Sequence, residues 1–188
     1  MTADEFLAWR EHQEQRYELL NGIPVAMAGA RRGHDQIVLN ALVLLGTQLG
    51  HGQCRPFTSD TAVRISSQQI RCADAGVDCG IFRAESLEAD APRLLLEVLS
   101  DSTPAFDLVE KLEEYKTVSS LRHIVLIDTD EPKINHWSRA DDSLWTYRPI
   151  DGLEAALELP DLGLTLPLRA LYAGLTFRPM PRLVMDGA

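Results

Sequence analysis

Apolar and polar positions change period several times along this chain, and each change marks an element. Thr2 followed by Glu5 forms a capping box, which predicts a helix from Ala3 to about Gln15 with Phe6, Leu7 and Trp9 on its apolar face. Tyr17–Leu20 and Ile23–Met27 flank Asn21-Gly22, the strongest short hairpin signal present. From about Gly33 to Leu49, Ile37, Val38, Ala41, Leu42, Leu45 and Leu49 keep helical spacing, and Gly50 is a natural stop. The period then shortens. Ala62-Val63-Arg64-Ile65 alternates, and Ile70–Phe82 reads as one extended segment broken by Gly76 and Gly80.

Arg93–Leu99 is a nearly continuous apolar run, as expected of a strand buried on both faces. Thr103 as a cap, with Pro104 at the first helical position, predicts a helix to about Val118. Arg122–Asp128 repeats the buried-strand pattern. Lys133–Ser138 and Leu144–Arg148 predict a hairpin or meander, followed by short strands and a helical turn near Leu168–Leu171. No repeat, linker or low-complexity block interrupts the series. Residues 1–176 are therefore expected to form one α/β (α+β) domain, and 177–188 a frayed tail.

Composition adds constraints. With 188 residues, 45% hydrophobic and 24% charged, the chain can fill a core without disulfide or metal staples. No basic segment followed by an apolar core opens the chain, and no apolar run is long enough for a bilayer, so a cytoplasmic protein is expected. Cys54, Cys72 and Cys79 are odd in number and form no Cys-x-x-Cys pair, which reads as three reduced thiols. A net charge of −10 argues against a passive, basic nucleic-acid-binding module, but not against an enzyme whose acids hold a cation.

Two acids stand where a core should be apolar. Glu97 interrupts Leu94-Leu95-Leu96-Glu97-Val98-Leu99, and Asp74 closes Ile70-Arg71-Cys72-Ala73-Asp74. An ionised carboxylate in a buried strand is costly unless paired or metal-bound. If the two segments pair as a hairpin about the polar loop from Arg83 to Pro92, Asp74 and Glu97 reach the same height on adjacent strands and can share one cation. Hard oxygen ligands suit Mg²⁺ or Mn²⁺ better than zinc. Lys111 follows on the next helix, beside the buried face marked by Leu108, Leu112 and Tyr115, within reach of the strand end that carries Glu97. Near a metal and two carboxylates, an ammonium can orient a water or stabilise an oxyanion.

At these residues the chain resembles the Uma-two family of bacterial restriction-endonuclease-like proteins, within the PD-(D/E)XK nuclease superfamily. Tyr17-Glu18-Leu19-Leu20-Asn21-Gly22, Ala73-Asp74, Glu97-Val98-Leu99-Ser100-Asp101-Ser102-Thr103 and Asp107-x-x-x-Lys111-x-x-x-Tyr115 carry the likeness, which extends to Leu159-Pro160-x-Leu162-x-Leu164. The resemblance implies a mixed sheet flanked by helices and a magnesium-dependent nuclease acting on DNA. In that site Asp74 and Glu97 would be metal ligands, Lys111 the superfamily lysine moved to the following helix, and Glu18 an accessory acid. Homodimerisation is also expected, since relatives that cut both strands often pair. The sequence departs from the pattern at Ala73, where a proline precedes the aspartate, and at Leu99, where the superfamily lysine stands.

Plainer readings exist for each residue. Glu97 could pair with Arg71 or Arg93, Lys111 with Asp107, and Glu18 could be an exposed strand residue beside the turn. Asp78 reads as an extra ligand or as the strand's exposed end. His34 is expected to be a solvated helix-start residue, although Arg31, Arg32 and His34 could together touch a phosphate. His12, His51, His123 and His136 lack metal-ligand spacing, and Trp9, Trp137 and Trp145 read as core or edge anchors. Against the nuclease stands a second class of function, a non-catalytic binding or assembly module that keeps the fold without the chemistry.

Overall fold

The computed structural model describes residues 1–99, 105–140 and 144–177, the side chains of 105–107 excepted. Helix α1 (Ala3–Arg10) begins at the predicted capping box, with Glu5 N–H donating to Thr2 Oγ1 and Thr2 N–H to the Glu5 carboxylate. It is shorter than the expected run to Gln15. Glu11 and His12 turn their N–H groups back to the Trp9 carbonyl, and Glu11–Arg16 holds no apolar residue to pay the ordering cost of another turn. Strands β1 (Tyr17–Leu20) and β2 (Ile23–Ala26) form the hairpin, with Asn21 at φ 50° and Gly22 at φ 77°, as a two-residue turn requires. Helix α2 (Arg32–Leu49) runs to Gly50, whose φ of 55° ends it.

Two sheets follow. The extended segment expected over Ile70–Phe82 is divided between them. Strand β4 (Val63–Ser66) and β5 (Gln69–Arg71) join the hairpin in a four-stranded sheet of order β2-β1-β5-β4. After Cys72–Asp74 the chain crosses into β6 (Ala75–Asp78) of a six-stranded sheet. That sheet also contains β3 (Arg55–Thr58), β7 (Pro92–Val98), β8 (His123–Ile127), β9 (Lys133–Ser138) and β10 (Thr146–Asp151), in the order β10-β9-β8-β7-β6-β3. Only β7 and β8 run parallel, joined by α3 (Ala105–Lys116); the other pairs are antiparallel. The expected cap, Thr103-Pro104, lies outside the described residues.

Strand β7 is apolar apart from Arg93 and Glu97 because both of its faces are covered. Leu94, Leu96 and Val98 pack toward Ile37, Ala41 and Leu45 of α2, together with the hairpin of β11 (Ala156–Leu159) and β12 (Leu164–Pro167) and the short helix α4 (Leu168–Leu171). Leu95 faces the other way, toward Leu112 and Tyr115 of α3. Glu97 shares that second face by strand alternation. Gly76 is needed in β6 because a Cβ there would lie 2.8 Å from the Leu94 carbonyl oxygen and overlap the Phe57 ring.

The three cysteines are not all reduced thiols. Cys54 and Cys79 form a disulfide, whereas Cys72 is free and buried. The β3–β6 register pairs Arg55 with Asp78, so the next residues out, Cys54 and Cys79, stand opposite each other with Cα atoms 4.0 Å apart. Spacing along the chain could not show this, because four strands and their connections separate them. No helix among the described residues is long and apolar enough to cross a membrane.

Candidate active site

The β6–β7 register pairs Ala75 with Leu96, and one step further along the antiparallel pair sets Asp74 opposite Glu97. Both acids stand where β7 ends and the chain leaves the sheet. Asp74 Oδ2 accepts the Val98 N–H at 2.8 Å and lies 3.2 Å from His34 Nε2. Glu97 Oε1 accepts the Tyr115 hydroxyl at 2.5 Å and the Lys111 ammonium at 2.9 Å. Lys111 also reaches Glu18 Oε1 at 3.3 Å, so one cation bridges an acid of β1 and an acid of β7. Glu18 is fixed in turn by the Cys72 N–H and the Arg71 guanidinium, both at 2.9 Å, and Arg71 continues to Glu114 at 2.5 Å.

These groups line one cavity of about 420 Å³, which Glu18, His34, Arg71, Asp74, Glu97 and Lys111 all border. Burial sets the electrostatics. It pushes the Glu97 carboxyl above the usual range, with the Asp74 charge adding to the effect and Lys111 opposing it. The same burial would pull Lys111 down, but the Glu97 and Glu18 carboxylates outweigh it and hold the ammonium above its ordinary value. Glu18 is likewise raised by burial and lowered further by Lys111 and Arg71, with a net fall. His34 loses to burial and gains more from Asp74, ending raised.

Asp74, Glu97, Lys111 and Glu18 are brought together. The expected partners differ: Arg71 pairs with Glu18 and Glu114, and it is Lys111 that meets Glu97. Asp78 accepts the N–H groups of Gly80, Asp90 and Ala91, so it closes the loop at the far end of β6. His34 is not the solvated residue expected. Its side chain is 11% exposed because α2 begins directly over Asp74, and its Nδ1 has no hydrogen-bond partner, with Asp35 at 3.7 Å. Arg31 and Arg32 are exposed at the start of α2 and do not border the cavity.

Tyr115, expected as part of the buried face of α3, and Arg71, expected as a possible partner of Glu97, instead hold Glu97 and Glu18 in place. Tyr115 carried a usable signal, since it falls four residues after Lys111 on the same helix face. Among the tryptophans, Trp9 packs on Phe6 and Tyr17, and Trp137 on Tyr147.

Whether these residues suit a divalent cation can be judged from their donors. Among the described residues, Asp74 Oδ1 and Glu97 Oε2 take no hydrogen bond, and no three His, Cys, Asp or Glu side chains cluster as a closed cage. Two carboxylates with open coordination fit Mg²⁺ or Mn²⁺, which usually keep several waters and bind through one or two carboxylates. The charges point the same way, with Glu18, Asp35, Asp74 and Glu97 bordering the cavity against the fixed cations Arg16, Arg71 and Lys111.

The mixed sheet flanked by helices is the fold of a solved cyanobacterial protein, titled "a putative nuclease belonging to DUF820 from Anabaena variabilis". The match has a TM-score of 0.70 at 20% identity and covers 92% of this chain and 97% of that one. Residues 3–169 match the model of the Uma2 family, described as "Putative restriction endonuclease", and the chain belongs to that family. Two uncharacterized proteins of Synechocystis sp. are related over most of their length. One, slr1290, is 30% identical over 94% of either chain; the other, sll1609, is 28% identical over 84% of this chain and 92% of its own.

Proposed function

We propose that this protein is a divalent-metal-dependent nuclease that hydrolyses phosphodiester bonds of DNA. The observation that carries the reading is the meeting of Asp74, Glu97, Lys111 and Glu18 from four separate stretches of the chain in one cavity. Family membership supports the same chemistry. Asp74 and Glu97 would hold Mg²⁺ or Mn²⁺, whose bound state supplies Lewis-acid polarisation of a phosphoryl oxygen. Lys111, kept as an ammonium, orients the attacking water by hydrogen bonding and steadies negative charge on the phosphate, while the water's proton passes to solvent in the cavity. Glu18 positions Lys111, and Tyr115 positions Glu97. Cutting both strands calls for two copies of the site, which a homodimer would supply.

The test is cleavage of supercoiled plasmid with Mg²⁺ or Mn²⁺. Wild-type protein should nick or linearise it, and Asp74→Ala and Glu97→Ala should each lose at least a hundredfold in rate. Cleavage that survives both changes would refute the assignment. One observation favours the second reading, a non-catalytic module: Lys111 is already ion-paired on both sides, so the network is internally closed. Under that reading, plasmid stays intact with either metal.

A further inference from the structure

At the opposite end of β7 lies a second cavity, of about 830 Å³, with a different character. Arg93, Arg122 and Arg148 border it, as do the buried His123 and His136. Arg93 opens β7 four residues before Glu97, about 13 Å along the strand at roughly 3.3 Å per residue, so the two cavities are distinct. In a chain of net charge −10, four arginines around one cavity, Arg139 being the fourth, depart from the general surface.

Their charge is not neutralised locally. Among the described residues, Arg93 and Arg148 make no ion pair or side-chain hydrogen bond, and Arg122 donates only to the carbonyl oxygens of Ser119 and Leu121. Two acids, Asp161 and Glu158, border the cavity as well and leave the four arginines in excess by two charges. Asp161 accepts from His123 Nε2 at 2.9 and 3.1 Å, and Glu158 accepts the Thr165 hydroxyl at 2.6 Å. His123 Nδ1 in turn lies 3.1 Å from His136 Nε2, a spacing that needs one shared proton and so joins Asp161, His123 and His136 in a single relay. The relay holds the Asp161 carboxylate on an imidazole, and Arg148 stands exposed beside it at the cavity.

We infer that this cavity binds the phosphate of a nucleotide-sized phosphate monoester. Guanidinium groups present paired N–H donors that match phosphate oxygens, and the volume falls in the range of small-molecule sites. Two sources share that chemistry: a free mononucleotide, and the phosphorylated 5′ end of a nucleic-acid strand. The site would recognise its ligand whether or not the carboxylate cluster cleaves DNA.

Calorimetry in EDTA, which removes any metal-dependent contribution from the other cavity, separates the outcomes. Adenosine monophosphate and a short oligonucleotide, with and without a 5′-phosphate, are titrated into wild type, Arg148→Ala and the double variant Arg93→Ala/Arg148→Ala. Both arginines stand at the rim, and Arg148→Ala on an exposed edge strand guards against a folding artefact. The expected result is saturable binding of the mononucleotide, or of the oligonucleotide only when it is 5′-phosphorylated, weakened at least tenfold in the double variant and less in the single one. Absence of binding by wild type at millimolar ligand overturns the inference, as does equal binding by the folded double variant.

Discussion

Asp74 and Glu97 stand directly across from each other where β6 and β7 part, with the Val98 N–H pinning Asp74 and the Tyr115 hydroxyl pinning Glu97. Neither acid is free to turn away from the cavity. The β-sheet register and the face of α3 thus decide where negative charge accumulates, and the consequences are open to measurement.

Tyr115→Phe should destabilise the fold by about 2 kcal/mol, since a buried carboxylate loses a charge-assisted hydrogen bond. Denaturant unfolding would show this as a lower midpoint at unchanged slope. An unchanged midpoint would mean that Glu97 finds another donor.

Lys111→Met should cost about 3–5 kcal/mol, because it leaves the Glu18 and Glu97 carboxylates buried without their shared cation. Added Mn²⁺ should then raise the melting temperature more in the variant than in wild type, since the ion would replace the missing positive charge. Equal shifts would argue that Lys111 and the ion do not act on the same carboxylates.

The Cys54–Cys79 bond closes a loop across the edge pair β3–β6, its ends separated by 25 positions in sequence. Its loss in Cys54→Ala/Cys79→Ala should lower stability by about 2–4 kcal/mol. Alkylation mass spectrometry of the native protein should find one reactive thiol after unfolding, Cys72, and three only after reduction.

His136 gives a pH dependence with a definite sign. Burial, then repulsion from His123 and Arg148, pulls its pKa from the ordinary 6.5 to about 4. Below pH 6.5 the unfolded chain takes up a proton that the native state refuses, so stability falls as pH drops from about 6.5 to about 4, by about 3 kcal/mol, and is fully present above that window. Glu97, raised in the folded state, acts in the opposite sense, so the readout is a difference. His136→Asn should flatten the pH profile between 4 and 6.5 relative to wild type, and an unaltered profile would contradict the assignment.

Much of this was legible in the residues themselves. The hairpin turn at Asn21-Gly22, the helix ending at Gly50 and the two buried strands follow from local chemistry and period. The juxtaposition of Asp74 and Glu97 could be read by counting inward from the connecting loop, because strand pairing conserves distance from a turn. What stayed hidden depends on contacts between remote elements. His34 is buried by the way α2 lands on Asp74, Arg71 is claimed by acids 53 and 43 residues away, and Cys54 meets Cys79 only through the β3–β6 register. The His123–His136 pair arises because β8 and β9 place both rings on the same face, an alignment no ligand-spacing rule encodes.

The most direct test of the central claim is a Mn²⁺ titration followed by calorimetry at constant pH, in wild type, Asp74→Ala and Glu97→Gln. A site built on the paired carboxylates predicts saturable binding to wild type that is abolished by Asp74→Ala and weakened at least tenfold by Glu97→Gln, with both variants folded. Identical isotherms in all three proteins, or none in wild type, would contradict it.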